Sequence, residues 1–163
     1  MICEANDIDY DDIRLHIIEK EDINAFALPN GHLVLFSGLI KNCQNASEFS
    51  GVISHELAHI SANHVMKKLI KEVGLSVLVS MTGGGAGTEI FRETLKKLTS
   101  TAYDRTLEKE ADIIAVDYLI NANIDPQHFA NFLFRLSENE PKLSHKLSWM
   151  MTHPASSERS NYI

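Results

Sequence analysis

Five consecutive positions, His55-Glu56-Leu57-Ala58-His59, combine residue types and a spacing suited to metal chemistry. On a helix, residues four apart lie one turn apart on one face, so His55 and His59 can direct two neutral imidazole nitrogens at one ion. Glu56 sits beside that face and can act as base toward a water on the metal. Two nitrogen ligands and a base are most of a zinc hydrolase centre. The pattern alone is weak, since this length and composition give about 3 accidental matches per hundred chains. The competing reading is a solvated helix with stray histidines.

A catalytic zinc normally takes a third protein ligand and keeps its fourth position open to water. Residues 108–112 read Glu-Lys-Glu-Ala-Asp. Glu108 and Asp112 are four apart and share a helix face, whereas Glu110 lies about 200° from Glu108 at ~100° per residue. Glu108 is therefore selected as the third ligand, giving a His2Glu site for one Zn2+ per chain. Asp112, one turn on, is placed to accept the second ring N–H of a ligating histidine and so fix its tautomer. Taken alone, this pair reads as an exposed acidic helix partnered by Arg105; Ala111, Ile114, Ala115 and Tyr118 beside it favour burial.

The remaining histidines carry less. His64 falls well off the ligand face of a continuous helix and reads as structural or solvent-facing. His16, His32, His128 and His145 have no partner at a useful spacing. His153 opens a His-Pro-x-x-x-x-Arg pattern ending at Arg159, in a loop that could fold back toward the cleft.

These residues need elements to hold them. Ser47 and Glu48 mark a helix start, and the apolar residues Phe49, Val52, Ile53, Leu57, Ala58 and Ile60 describe a buried helix that runs to about Lys71, with no proline or glycine between Val52 and Lys71. Upstream, Arg14 to Ile18 reads as a short strand. Ile23–Leu28 and His32–Phe36 form a hairpin about Pro29-Asn30-Gly31, where Asn-Gly supplies positive φ. Ser37 to Asn42 is a helical turn or short helix. Further helices are predicted over Asp104 to Asn121, from Asp125-Pro126 to about Glu138, and around Leu143 to Met151. Gly83 to Gly87 is a hinge, and with its neighbours 73–81 and 90–98 could form a lid over the cleft. It lacks the Lys-Ser/Thr of a phosphate loop.

The chain has 163 residues, 44% hydrophobic and 23% charged, which suits one globular domain over 1–163. A net charge of -7 argues against nucleic acid, because no basic stripe can neutralise phosphates. Lys67, Lys68 and Lys71 read as a solvated helix face. Cys3 and Cys43 lack zinc-ligand spacing and read as ordinary thiols, or as a pair in an oxidising compartment. The acidic start is no signal peptide, and no stretch is long enough to span a membrane. The expectation is a soluble chain, cytoplasmic if Met1 is the native start and periplasmic or envelope-located if it is a processed form.

Taken together these residues resemble the M48 peptidases, zinc metalloendopeptidases of the gluzincin type. The resemblance runs through Asn24-Ala25-Phe26-Ala27-Leu28-Pro29-Asn30-Gly31, Ser37-Gly38-Leu39-Ile40, the His55–His59 motif with His64, Tyr103-Asp104-Arg105, Glu108 to Asp112, Thr152-His153-Pro154 and Arg159. It implies an α+β, mainly helical zincin-like domain, with a small N-terminal β-sheet packed on the His-Glu helix. It implies hydrolysis of internal peptide bonds of a polypeptide substrate through a zinc-activated water, with His55, His59 and Glu108 as ligands and Glu56 as base. Asp112 takes a supporting or proton-donating role, and His153 occupies the open position or steadies the transition state. Asn24, Ala25 and Phe26 resemble the edge strand that pairs with substrate backbone. The alternative is a latent or non-proteolytic zinc domain that binds extended chains, its metal blocked by His153 or by the lid.

Overall fold

The computed structural model describes residues 1–74, 87–143, 148–154 and 157–163. A short helix α1 (Ile2–Ala5) and a 3-10 turn (Tyr10–Asp12) precede strand β1 (Arg14–Ile18). The hairpin strands are β2 (Ala25–Leu28) and β3 (His32–Phe36), with β2 starting two residues later than predicted. Asn30 and Gly31 turn the chain at φ 59° and 72°. Glycine is required at position 31 for a second reason: a Cβ there would lie 1.7 Å from the carbonyl oxygen of Asp12. The sheet order is β1-β3-β2, with β1 parallel and β2 antiparallel to the central β3. Among the described residues this leaves one edge of β2 unpaired by strand, and that edge faces the next long helix.

After α2 (Ser37–Asn42) comes the motif helix α3 (Ala46–Ser61). Its cap is Asn45 rather than Ser47: the Asn45 side chain accepts from Glu48 N at 2.8 Å, so the helix starts two residues earlier than predicted. Glu48 reaches back to accept from Gln44 N at 2.8 Å. The predicted continuation to Lys71 is also corrected. The helix stops at Ser61, Asn63 adopts the left-handed conformation at φ 56°, and a separate helix α4 (His64–Val73) follows. Asparagine tolerates that conformation better than other residues with a side chain, which is how a stretch without glycine or proline still bends.

A further correction concerns Lys68, which is buried rather than solvated. Its ammonium donates to Leu98 O at 2.8 Å and to Thr101 O, and lies 4.1 Å from the Tyr103 ring centre. Those carbonyls sit at and just past the end of α5 (Gly87–Ser100), so Lys68 ties α4 to it. The predicted hinge at Gly83–Gly87 lies outside the described residues except for Gly87, which opens α5; of the predicted lid, residues 75–81 lie outside them and 90–98 form part of α5.

Helix α6 (Arg105–Asn121) begins at Asp104 and is followed by α7 (Gln127–Leu143), which runs further than predicted. Asp125 caps α7 by accepting from Gln127 N at 2.9 Å. Two short helices, α8 (Ser148–Thr152) and α9 (Ser157–Tyr162), complete the described chain. The core lies between the sheet, α3, α6 and α7. Helix α7 sends in Phe129, Phe132, Leu133 and Leu136, at i, i+3, i+4 and i+7, each worth about 2 kcal/mol of burial. Gly51 of α3 lets Phe129 approach: a Cβ there would sit 2.5 Å from Phe129 Cβ. The result is the mainly helical α+β, zincin-like arrangement, with its small sheet against α3. Among the described residues no helix is long and apolar enough to cross a membrane.

Candidate metal centre

Helix α3 packs most extensively on α6, and this pairing brings the two sequence motifs face to face. His55, Glu56 and His59 project from α3 and Glu108 and Asp112 from α6; all five are buried. His153, just past α8, enters the same space and is fully buried.

Four donor atoms converge, one each from His55, His59, Glu108 and His153, all within 4.8 Å of one another. His55 Nε2 is 3.1 Å from His59 Nε2 and 3.2 Å from His153 Nδ1. Glu108 Oε1 is 3.2 Å from His59 Nε2 and 2.9 Å from His153 Nδ1, and its Oε2 is 3.6 Å from His55 Nε2. A tetrahedral zinc with bonds of about 2.0–2.1 Å has ligand atoms about 3.3 Å apart. The observed spacings straddle that value. Three imidazole nitrogens and a carboxylate oxygen are moreover a donor set that zinc accepts, so the residues fit the ion.

The electrostatics are those of a site built for positive charge. Burial disfavours a charged His55, but Glu108 and a close Asp112 outweigh it and push this imidazole up to about 9. His59 goes the other way, well below the ordinary value, because burial dominates and the neighbouring imidazoles repel added charge. Burial also opposes ionisation of Glu108, yet His153 and His55 hold its carboxyl well below the usual range.

Around these atoms lies a second set of contacts. Asp112 Oδ1 is 2.9 Å from His55 Nδ1, the ring nitrogen facing away from the cluster. The Arg159 guanidinium grips Asp112 with Nε and Nη2 at 2.8 and 2.7 Å, and its Nη1 lies 2.7 Å from Glu108 Oε2. Tyr162 donates its hydroxyl to Asp112 at 2.7 Å. Burial raises the Asp112 carboxyl, but His55 and Arg159 overcome this and hold it at about 2.

Glu56 is held at both oxygens. Trp149 donates its indole N–H to Oε1 at 3.0 Å, and Ala27 donates its backbone N–H to Oε2 at 3.1 Å. The second bond comes from the free edge of β2. Phe36 N donates to Asn24 O at 3.0 Å, so antiparallel alternation turns the polar backbone groups of Ala25 and Ala27 away from β3. Asn24 Oδ1 is buried and has no hydrogen-bond partner among the described residues.

Sequence reasoning missed several of these neighbours. Trp149 stacks on His153 with ring centres 5.0 Å apart, and the only signal was its position four residues before that histidine. Arg159 stood in the His-Pro pattern, but its grip on two acids of α6 had no local trace. His64, read as lying off the ligand face, is fully buried with Nδ1 3.1 Å from His59 Nδ1. The break at Asn63 is what redirects it. Cys3 and Cys43 are free thiols.

The same residues lie in regions shared with known proteins. The chain is 28% identical over 171 residues to the Beta-barrel assembly-enhancing protease of Yersinia pestis, covering 98% of this chain and 35% of that one. It is 29% identical over 163 residues to Metalloendopeptidase OMA1, mitochondrial, of Bos taurus, covering 91% and 31%. Against Metalloprotease LoiP of Escherichia coli (strain K12) it is 28% identical over 165 residues, covering 98% and 64%. The chain thus spans about a third of the length of the first two relatives. The family model for peptidase family M48 matches residues 1–163, from the edge strand through every member of the buried cluster to Arg159, and the chain belongs to that family.

Proposed function

We propose that this chain is a zinc-dependent metalloendopeptidase catalytic domain that hydrolyses internal peptide bonds of polypeptides. The observation that carries the reading is the buried tetrahedral-sized cluster with Glu56 beside it. His55, His59 and Glu108 would hold the ion, with His153 Nδ1 at the remaining corner. When bound, zinc supplies Lewis acidity toward the scissile carbonyl and acidifies water.

The protein's own groups do the rest. Glu56 accepts the proton of the attacking water and returns it to the leaving amine. Trp149 and the Ala27 N–H orient its carboxylate, and Asp112 and Arg159 hold His55 and Glu108 in place. An extended substrate adds to the free edge of β2 through the outward backbone groups of Ala25, with Asn24 Oδ1 available to a substrate amide and Phe26 on the same strand. Asn24 supports this role because its buried oxygen has no donor among the described residues.

His153 supports a second reading, a latent site. Its Nδ1 already lies among the ligand atoms, so it would fill the position that catalysis needs open. The two readings part on His153→Ala: latency predicts a rise in casein cleavage, and a transition-state role predicts a fall. The primary test is elemental analysis with casein hydrolysis. About one zinc per chain and cleavage abolished by chelator are expected, with Glu56→Gln keeping zinc and losing nearly all activity. A fully active Glu56→Gln protein would falsify the assignment.

A further inference from the structure

The two α3 histidines in the cluster are steadied differently. His55 has a carboxylate, Asp112, directly behind its ring. Behind His59 stands another imidazole, His64, with Nδ1 facing Nδ1 at 3.1 Å. His64 Nε2 in turn lies 3.2 Å from Oε2 of Glu110, two residues after Glu108 on α6. His64 is wholly buried, whereas the Glu110 side chain is 51% exposed. The remaining faces of His59 are also occupied: Tyr103 stacks on its ring with centres 4.1 Å apart.

The direction of each proton in this row follows from chemistry. A neutral imidazole carries one hydrogen, so a ring offering the Nε2 lone pair to a metal must carry it on Nδ1. His59 Nε2 faces the cluster, hence His59 Nδ1–H donates and His64 Nδ1 accepts. His64 then carries its own hydrogen on Nε2, the nitrogen that faces the Glu110 carboxylate. An anion at that end favours this tautomer and disfavours the reverse order, in which His59 would aim a hydrogen at the metal.

We propose that His64 and Glu110 are positioning residues that fix the tautomer and orientation of His59, so that its Nε2 lone pair points into the metal cluster. The proposal rests on the reading of His59 as a ligand. Removing an outer partner of a ligating histidine typically lowers metal affinity about 10–100-fold. Glu110, one group further out, acts more weakly.

The test uses the full chain and measures zinc affinity by competition with a chromophoric chelator, the absorption spectrum of the cobalt(II)-loaded protein, and the His59 tautomer by long-range 1H–15N NMR. Expected are a His59 carrying its hydrogen on Nδ1, a loss of about 10–100-fold in zinc affinity with an altered cobalt spectrum in His64→Phe, and partial recovery in His64→Gln, whose amide oxygen can accept from His59. Glu110→Ala is exposed enough to leave folding intact. It is expected to weaken zinc several-fold and to shift the tautomer balance without lowering the melting temperature, which a merely structural role would not do. Unchanged zinc affinity, cobalt spectrum and tautomer in Glu110→Ala and His64→Phe would overturn the proposal. If wild type binds no zinc, or His59→Ala binds it as tightly as wild type, the ligand reading fails instead.

Discussion

At the scale of single residues, the centre is distinguished by how completely each acid is restrained. Glu56 has no exposed surface, and both of its oxygens are hydrogen-bonded by groups that carry no charge, the Trp149 indole and the Ala27 amide. Such donors stabilise and aim a carboxylate, and His153 Nε2 lies 3.3 Å from the same Oε1 that Trp149 holds. On the proposed mechanism Trp149→Phe keeps an aromatic ring at that place and removes the donor, together with part of the indole's volume. A hydrogen bond to a charged group is worth about 1.5–3 kcal/mol, so kcat is expected to fall about tenfold or more. KM and zinc content should stay near wild type. Steady-state kinetics on a peptide substrate, with zinc analysis of the same sample, checks this; an unchanged kcat removes Trp149 from the site. Neither Trp149 nor Arg159 could be assigned from the chain, because each acts on a residue remote in sequence, Trp149 on Glu56 and Arg159 on Asp112. The His55–His59 pair and the Glu108–Asp112 pair were legible for the opposite reason: each lies within one helical turn, where spacing alone sets direction.

At the scale of elements, the break between α3 and α4 matters more than either helix. An uninterrupted helix would carry His64 about 140° away from His59 at ~100° per residue. The left-handed Asn63 ends α3 and starts α4 with His64 as its first residue, and this returns the imidazole to the back of His59. Asn63→Ala places a less tolerant residue at φ 56° and is expected to cost about 1 kcal/mol in urea denaturation. Asn63→Gly should be close to neutral. Equal losses in both variants would show that the side chain, not the backbone conformation, matters there. The hairpin was readable from the Asn-Gly turn, whereas the parallel pairing of β1 with β3 had no local signal. The break was not readable either, since a left-handed asparagine leaves no mark in hydrophobic periodicity.

At the scale of the molecule, the cluster joins segments that are far apart in sequence: α3, α6 and the chain following α8. An ion held among them would link all three, and binding only to the folded form raises stability by mass action. Free zinc at a hundredfold excess over its dissociation constant adds about 2.7 kcal/mol. The melting temperature is therefore expected to rise with zinc and to fall with chelator, while a His55→Ala, His59→Ala double variant should not respond. Differential scanning calorimetry across zinc concentrations decides this, and a wild-type melting point indifferent to zinc would count against the centre.

The sequence by itself determined what is local. Helical spacing paired His55 with His59 and Glu108 with Asp112, and turn chemistry placed the hairpin. Tertiary structure alone decided which groups stand behind those residues. Packing of α6 on α3, the turn at Asn63 and the return of the chain after α8 surround the motif with Trp149, Arg159, His64 and Glu110. A motif records directions within one element, whereas the contacts that hold a ligand's proton and lone pair in place depend on how separate elements meet.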